Sequence, residues 1–290
     1  MPQEQAAVRS GVWINLITAI INNAPYDPLP NSTLNHALNI LPGVNDGQFL
    51  YPSICAYAIG LGDTERYTGA SGVSRTVPVY HRCTDTGLHK LRPMVLRDAE
   101  NDLTAGQREL FALRRSEIWR GRPHWAYYAS WLPPLTTPPT LEYISITNGV
   151  PSTPIAWTPS AEDLTPIGTT MPNQGVNQTV PDFLRSSVAR IIAWNEFQRA
   201  EYLNVASIMY DDEREALVND VGIIAARKRQ IQVPAGPGGG TFMFNEAIMA
   251  TVAAWVPKSY DAFRDGTFEM TFNSSIEEGV YKFTNVGLNV

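Results

Sequence analysis

The sequence predicts an α+β fold: a mainly antiparallel sheet with segregated helices and a long Pro-rich extended arm. Three observations predict it. Short alternating apolar stretches bounded by turn residues recur along the chain. The helix-spaced stretches stand apart from them instead of alternating with them as βαβ units would. The composition breaks abruptly in the middle: Pro123 to Leu184 holds no Lys or Arg, and ten of the 22 prolines lie between Pro133 and Pro181. These breaks divide the chain into an N-terminal α+β part, 1–132, a Pro-rich arm with one hairpin, 133–182, and a C-terminal α+β part, 183–290. The outer two parts are expected to share one core.

Taken in order, Val8, Val12, Leu16, Ile17 and Ile20 fall at helical spacing, so Ala6 to Asn22 reads as an amphipathic helix. A short helix fits Thr33 to Ile40. Tyr51 to Ile59 and Val77 to Arg82 read as strands separated by a Gly/Ser/Thr loop. Pro93 to Leu96 is extended and Asp98 to Asp102 is a polar turn. Thr104 with Gln107 three residues on is a capping box, in which each side chain can bond the other's backbone N–H. The helix that follows would bury Leu110, Phe111, Leu113 and Ile118, and Arg120-Gly121-Arg122-Pro123 would stop it. His124 to Leu132, rich in Trp and Tyr, suits a packed strand.

In the arm, Leu141 to Thr147 alternates and ends on Asn148-Gly149, a strong hairpin turn. The rest, Val150 to Val180, reads as extended or polyproline-like chain. Order resumes with a strand at Val188 to Trp194 and a helix capped by Asn195 and Gln198, running to about Met209. Val218 to Ala226 reads as a strand, with a helix as the alternative. Gly236 to Gly240 is a break. Phe244 to Phe263 reads as a helix with Ile248, Val252, Trp255 and Val256 on one face, and Phe268 to Phe272 with Val280 to Val286 as a closing antiparallel pair.

Arg92 to Arg115, R-P-M-V-L-R-D-A-E-N-D-L-T-A-G-Q-R-E-L-F-A-L-R-R, followed by W-A-Y-Y at Trp125 to Tyr128, resembles baseplate-wedge-type structural proteins of large contractile-tailed bacteriophages. Phe49 to Asp63, F-L-Y-P-S-I-C-A-Y-A-I-G-L-G-D, and Tyr202 to Glu213, Y-L-N-V-A-S-I-M-Y-D-D-E, resemble them in the same order. The Pro-rich middle lies outside the likeness. These are packing motifs, so what the resemblance implies is a role and no functional residues. The role is a virion tail protein, made in the host cytoplasm and assembled with its own copies and other tail or baseplate proteins.

Composition excludes several function classes. The net charge of −6 does not suggest a nucleic-acid binder. The longest apolar run, Gly11 to Ile21, is far short of a membrane span, and no small-residue cleavage site follows it, so no membrane and no secretion signal are expected. Cys55 and Cys83 make no disulfide framework. A tetrahedral zinc set from Cys55, His81, Cys83 and His89 lacks the close ligand pairs of such sites, so no metal is expected. Gly236 to Gly240 lacks the Lys and Ser/Thr of a phosphate loop. Asp211, Asp212, Glu213 and Glu215 lack the glycine and spacing of a calcium loop and read as a solvated turn. Gly69-Ala70-Ser71-Gly72-Val73 misses the nucleophile-elbow spacing. No catalytic residue, no cofactor and no small-molecule substrate is expected. Paired carboxylates for peptidoglycan cleavage are the enzyme alternative, because the fold sets their separation. A neck or capsid adaptor is the other.

The charge pattern points instead to contacts. The basic residues are 18 Arg and only 4 Lys, and Arg suits interfaces better. From Arg82 to Arg122 there are eight Arg and one Lys against six acids, a local surplus in an acidic chain. Either this surplus is half of a self-complementary assembly surface, or the arginines pair internally. The arm carries few charges yet keeps bulky apolar groups, which something should cover. Arg114, Arg115, Arg120 and Arg122 from the cluster, with Tyr143 and Trp157 from the arm, are the expected partner contacts. Self-association as a dimer or higher is expected with them.

Overall fold

Val8–Arg9 is not helical but forms strand β1, antiparallel to Trp255 and Ala254. The rest of the helix expected from Ala6 lies outside the described residues. The computed structural model describes residues 8–9, 38, 52–61, 64–68, 70, 72, 74–78, 81–134, 140–156, 182–235, 239–262 and 268–279. Leu38 is helical and buried, inside the short helix expected there. Strand β2 (Ser53–Gly60) follows, with Ala56 to Ile59 fully covered on both faces. The Gly/Ser/Thr stretch holds a separate hairpin, β3 (Thr64–Thr68) with β4 (Ser74–Pro78). The strand expected to reach Arg82 ends at Pro78, and residues 81–90 are loop. Then come β5 (Leu91–Arg92) and β6 (Val95–Asp98).

The capped helix is a single turn, α1 (Ala105–Arg108). Gln107 Oε1 accepts from the Thr104 N–H at 3.0 Å, so the cap is present while the long helix is not. Strand β7 (Phe111–Trp119) replaces that helix and pairs with β8 (Arg122–Trp131). The reason lies in the turn. Arg120 and Gly121 both have positive φ, 48° and 77°, and Trp119 pairs with Arg122. That is the two-residue hairpin whose twist matches the strands. Gly121 therefore turns a hairpin and does not stop a helix. Phe111 and Leu113 are buried as expected, but Ile118 sits near the hairpin tip at 78% exposure.

The Pro-rich middle holds β9 (Thr140–Ile144), β10 (Ile146–Thr147), β11 (Val150–Pro151) and β12 (Ile155–Ala156). Asn148 and Gly149 make the expected turn, with φ of 52° and 78°. Strand β13 (Phe183–Ala193) follows and pairs with β9. Helix α2 (Glu196–Tyr210) starts at the expected cap: Asn195 Oδ1 accepts from the Gln198 N–H at 2.8 Å. Its end, Asp211, is left-handed at φ 59°.

Strand β14 (Leu217–Pro234) joins β15 (Thr241–Ala262) across the glycine break. The helix expected from Phe244 is absent. Ile248, Val252, Trp255 and Val256 share helical spacing by coincidence on a strand covered on both faces. Two-sided burial removes the alternation that would have marked it. The last described strand is β16 (Glu269–Gly279), and Val280 to Val286 lies outside the described residues.

Two compact units result, Met1–Pro134 with Ile191–Phe272, and Leu135–Arg190 with Asn273–Val290. The first holds an eight-stranded antiparallel sheet ordered β1-β15-β14-β2-β8-β6, with β5 beside β2 and β7 beside β8. Its core is drawn from both halves of the sequence: Tyr57, Ile59, Phe111 and Tyr127 meet Trp194, Tyr202, Val221, Ile223 and Phe268. Register shifts between Val218 and Asp220, Ile223 and Ile224, and Ala225 and Arg227 bend the long β14–β15 ribbon. The ribbon meets β7 through side chains: Arg115 pairs with Glu246 on β15, and Arg114 Nη1 donates to Pro234 O on β14 at 3.0 Å. The four-stranded sheet associated with the second unit runs β12-β9-β13-β16.

Candidate functional site

Residues 81–90 cross from the β3–β4 hairpin to β5 and lie against the end of the main sheet. Two glycines make that approach possible. A Cβ on Gly60 would sit 2.5 Å from His89 O, and one on Gly222 would sit 2.9 Å from Leu88. Trp255 Nε1 on β15 donates to Gly87 O at 3.0 Å, and Leu88 is buried in the core. The register that pairs Asp220 with Gly60 puts the Asp220 carboxylate beneath the loop.

His81 occupies the centre. Its Nε2 lies 2.8 Å from Asp220 Oδ2, and its Nδ1 lies 3.1 Å from Asp85 Oδ2. Asp85 Oδ2 also accepts from the Arg82 N–H at 2.9 Å. The His81 ring stacks on His89, with centroids 4.3 Å apart and planes 9° from parallel. It also stacks on Trp255 at 4.7 Å and 11°. A neutral imidazole has one N–H, so only an imidazolium can donate to both carboxylates at once. Burial works against that charge, but the hydrogen bonds and charges of Asp220 and then Asp85 outweigh it and hold His81 above the ordinary histidine range.

The ligand atoms of His81, Asp85 and His89 lie within 4.8 Å of one another, which raises the question of a metal ion. The geometry answers against one. Imidazole lone pairs lie in the ring planes, and planes 9° from parallel at stacking distance cannot both contain a single ion. Both His81 nitrogens already face carboxylates. The cluster is organised around a proton. The set considered from sequence does not assemble either: Cys55 Sγ donates to Ala226 O at 3.5 Å, and Cys83 is exposed. Only the two histidines of that set meet. Asp85, four residues from His81, was visible in the sequence as a neighbour; Asp220, 139 residues away, left no signal.

The basic cluster resolves largely inward. Arg92 is 1% exposed, donates to Glu215 O at 2.6 Å and lies over the rings of Tyr202 and Tyr210. Arg97 grips Glu201 of α2 through two nitrogens. Arg114 is buried on Asp102 and Trp125, and Arg115 pairs with Glu246 while donating to Leu38 O. Arg114 and Arg115, expected as partner contacts, therefore both have partners within the chain. Placing them on one helix suggested otherwise; on a strand, neighbours point to opposite faces. Arg120 is exposed and bidentate to Asp211, and Arg122 is exposed. In the Pro-rich middle, Tyr143 donates to Asp182 Oδ2 at 2.5 Å, which with burial raises its hydroxyl's pKa. Trp157 lies outside the described residues. The acidic group after α2 is a surface turn: Asp212 caps the 3-10 turn Glu213–Glu215 and pairs with Arg214.

Fold and cluster together define a two-unit, mainly antiparallel β protein with two described helices, braced by ion pairs within the main sheet. No described helix is long and apolar enough to cross a membrane. The chain belongs to the family of unknown function DUF7208, which matches residues 1–286. No curated protein matches the chain, and no solved structure does.

Proposed function

We propose that the protein is a structural component of a contractile bacteriophage tail, placed in the baseplate wedge and acting through protein–protein contacts without turnover. Its partners are further copies of itself and other tail or baseplate proteins. The resemblance of the packing motifs to wedge-type proteins motivates this reading, and one structural observation supports it. The arm leaves apolar side chains uncovered on short strands, Val150 at 65% and Ile155 at 63% exposure. Short paired strands with uncovered apolar groups in a proline-rich segment suit docking against another chain, because proline limits the entropy lost on ordering.

The test is the intact particle. The protein is expected in purified virions, in multiple copies at the baseplate, by mass spectrometry and electron microscopy. Sites between Val150 and Val180 are expected to be cut first by protease in the isolated protein and to be protected in assembled tails. Absence from the virion overturns the proposal. Clearing of peptidoglycan by the purified protein would replace it with the tail-associated enzyme, and a position at the head–tail junction with the neck or capsid adaptor.

A further inference from the structure

The loop of residues 81–90 touches three strands of the main sheet. His81 reaches Asp220 on β14, Gly87 O accepts from Trp255 on β15, and His89 O lies over Gly60 on β2. We propose that protonated His81 is a latch that fastens this loop to the end of the sheet, and that loss of its proton releases the loop.

The geometry carries this. Ring nitrogens at 2.8 and 3.1 Å from two different carboxylates need two N–H donors, which only the imidazolium has. Deprotonation turns a lone pair toward one of the carboxylates, replacing a charge-assisted bond with repulsion. Asp220 is 2% exposed, and its Oδ1 has no hydrogen-bond partner among the described residues. Without the imidazolium its charge is buried and uncompensated, which favours moving the loop to admit water. The described groups facing His81 are few. Its own loop contributes Asp85 and His89, β14 contributes Asp220, β15 contributes the uncharged Trp255, and β2 presents only Gly60. Release withdraws Leu88 from the core and uncovers Trp255.

The sign follows from where the proton is held more tightly. The folded protein binds the His81 proton more strongly than the unfolded chain does. The latch therefore contributes fully below the ordinary histidine range. It weakens as pH rises from there and is lost once pH passes the higher folded value. Within that window, the protection of amides 81–90 against hydrogen exchange should fall about tenfold per pH unit beyond the intrinsic rate change. His81→Gln should abolish the fall, and Asp220→Asn should move the window down by about one pH unit. His89→Gln should leave it in place. Nitrogen NMR of the unaltered protein at mildly acidic pH should show both His81 ring nitrogens protonated. Protection in the unaltered protein that does not change with pH, a single protonated nitrogen, or an unchanged fall in His81→Gln would each overturn the latch.

Discussion

Asp102 shows how one carboxylate can anchor a basic cluster. Its Oδ2 accepts from Arg114 at 2.7 Å and Arg108 at 3.4 Å, and its Oδ1 from the Tyr127 hydroxyl at 2.7 Å. Burial and then this bond raise the pKa of the Tyr127 hydroxyl. The Arg114 side chain is 2% exposed, so removing Asp102 leaves a buried cation with no carboxylate. Asp102→Ala should lower stability in urea denaturation by about 3–5 kcal/mol. Arg120→Ala should leave the midpoint unmoved, because Arg120 and Asp211 are both in water and screened. The contrast separates what sequence can and cannot tell. The surplus of arginine was visible as charge counting, but whether each one meets an acid is decided by contacts between distant segments. Arg115 with Glu246 and His81 with Asp220 are more than a hundred residues apart, and no local pattern encodes either pair.

Elements set by neighbouring residues were legible, and so were the strands β2, β8, β13 and β14; β7 and β15, expected as helices, were not. The caps at Thr104 and Asn195 and the turn at Asn148-Gly149 are local hydrogen-bond chemistry, and they stand where the sequence put them. Strand β15 failed because covering both faces leaves only composition to distinguish strand from helix. It also contains a feature with its own energetics. Met249 has φ 53°, in the region where Ala225 pairs with Thr251 but Arg227 pairs with Ile248. This is a bulge with a side chain where glycine would be unstrained. Met249→Gly should therefore be tolerated. Met249→Val, branched at the strained position, should cost about 1–2 kcal/mol by thermal or denaturant unfolding.

At the scale of the whole molecule, one core is built from segments on either side of the proline-rich middle, while β9 and β12 of that middle join β13 and β16 in a second sheet. With Arg122 exposed at one hairpin tip and Val150 and Ile155 uncovered in the Pro-rich middle, the protein should self-associate. Sedimentation at micromolar concentration should show species heavier than the 32.1 kDa chain, and more of them at low salt; a lone 32.1 kDa species at every salt concentration would contradict this. The main sheet adds a mechanical consequence. Its strands are laddered by backbone bonds from β15 through β14, β2 and β8 to β7, but among the described residues the return from β7 to the β14–β15 ribbon rests on side chains, Arg115 on Glu246 of β15 and Arg114 on Pro234 O of β14. Load along the strands is shared by many ladder bonds at once, whereas load across the return falls on a few side chains in turn. The main sheet is thus stiff along its strands and gives first where β7 meets the β14–β15 ribbon.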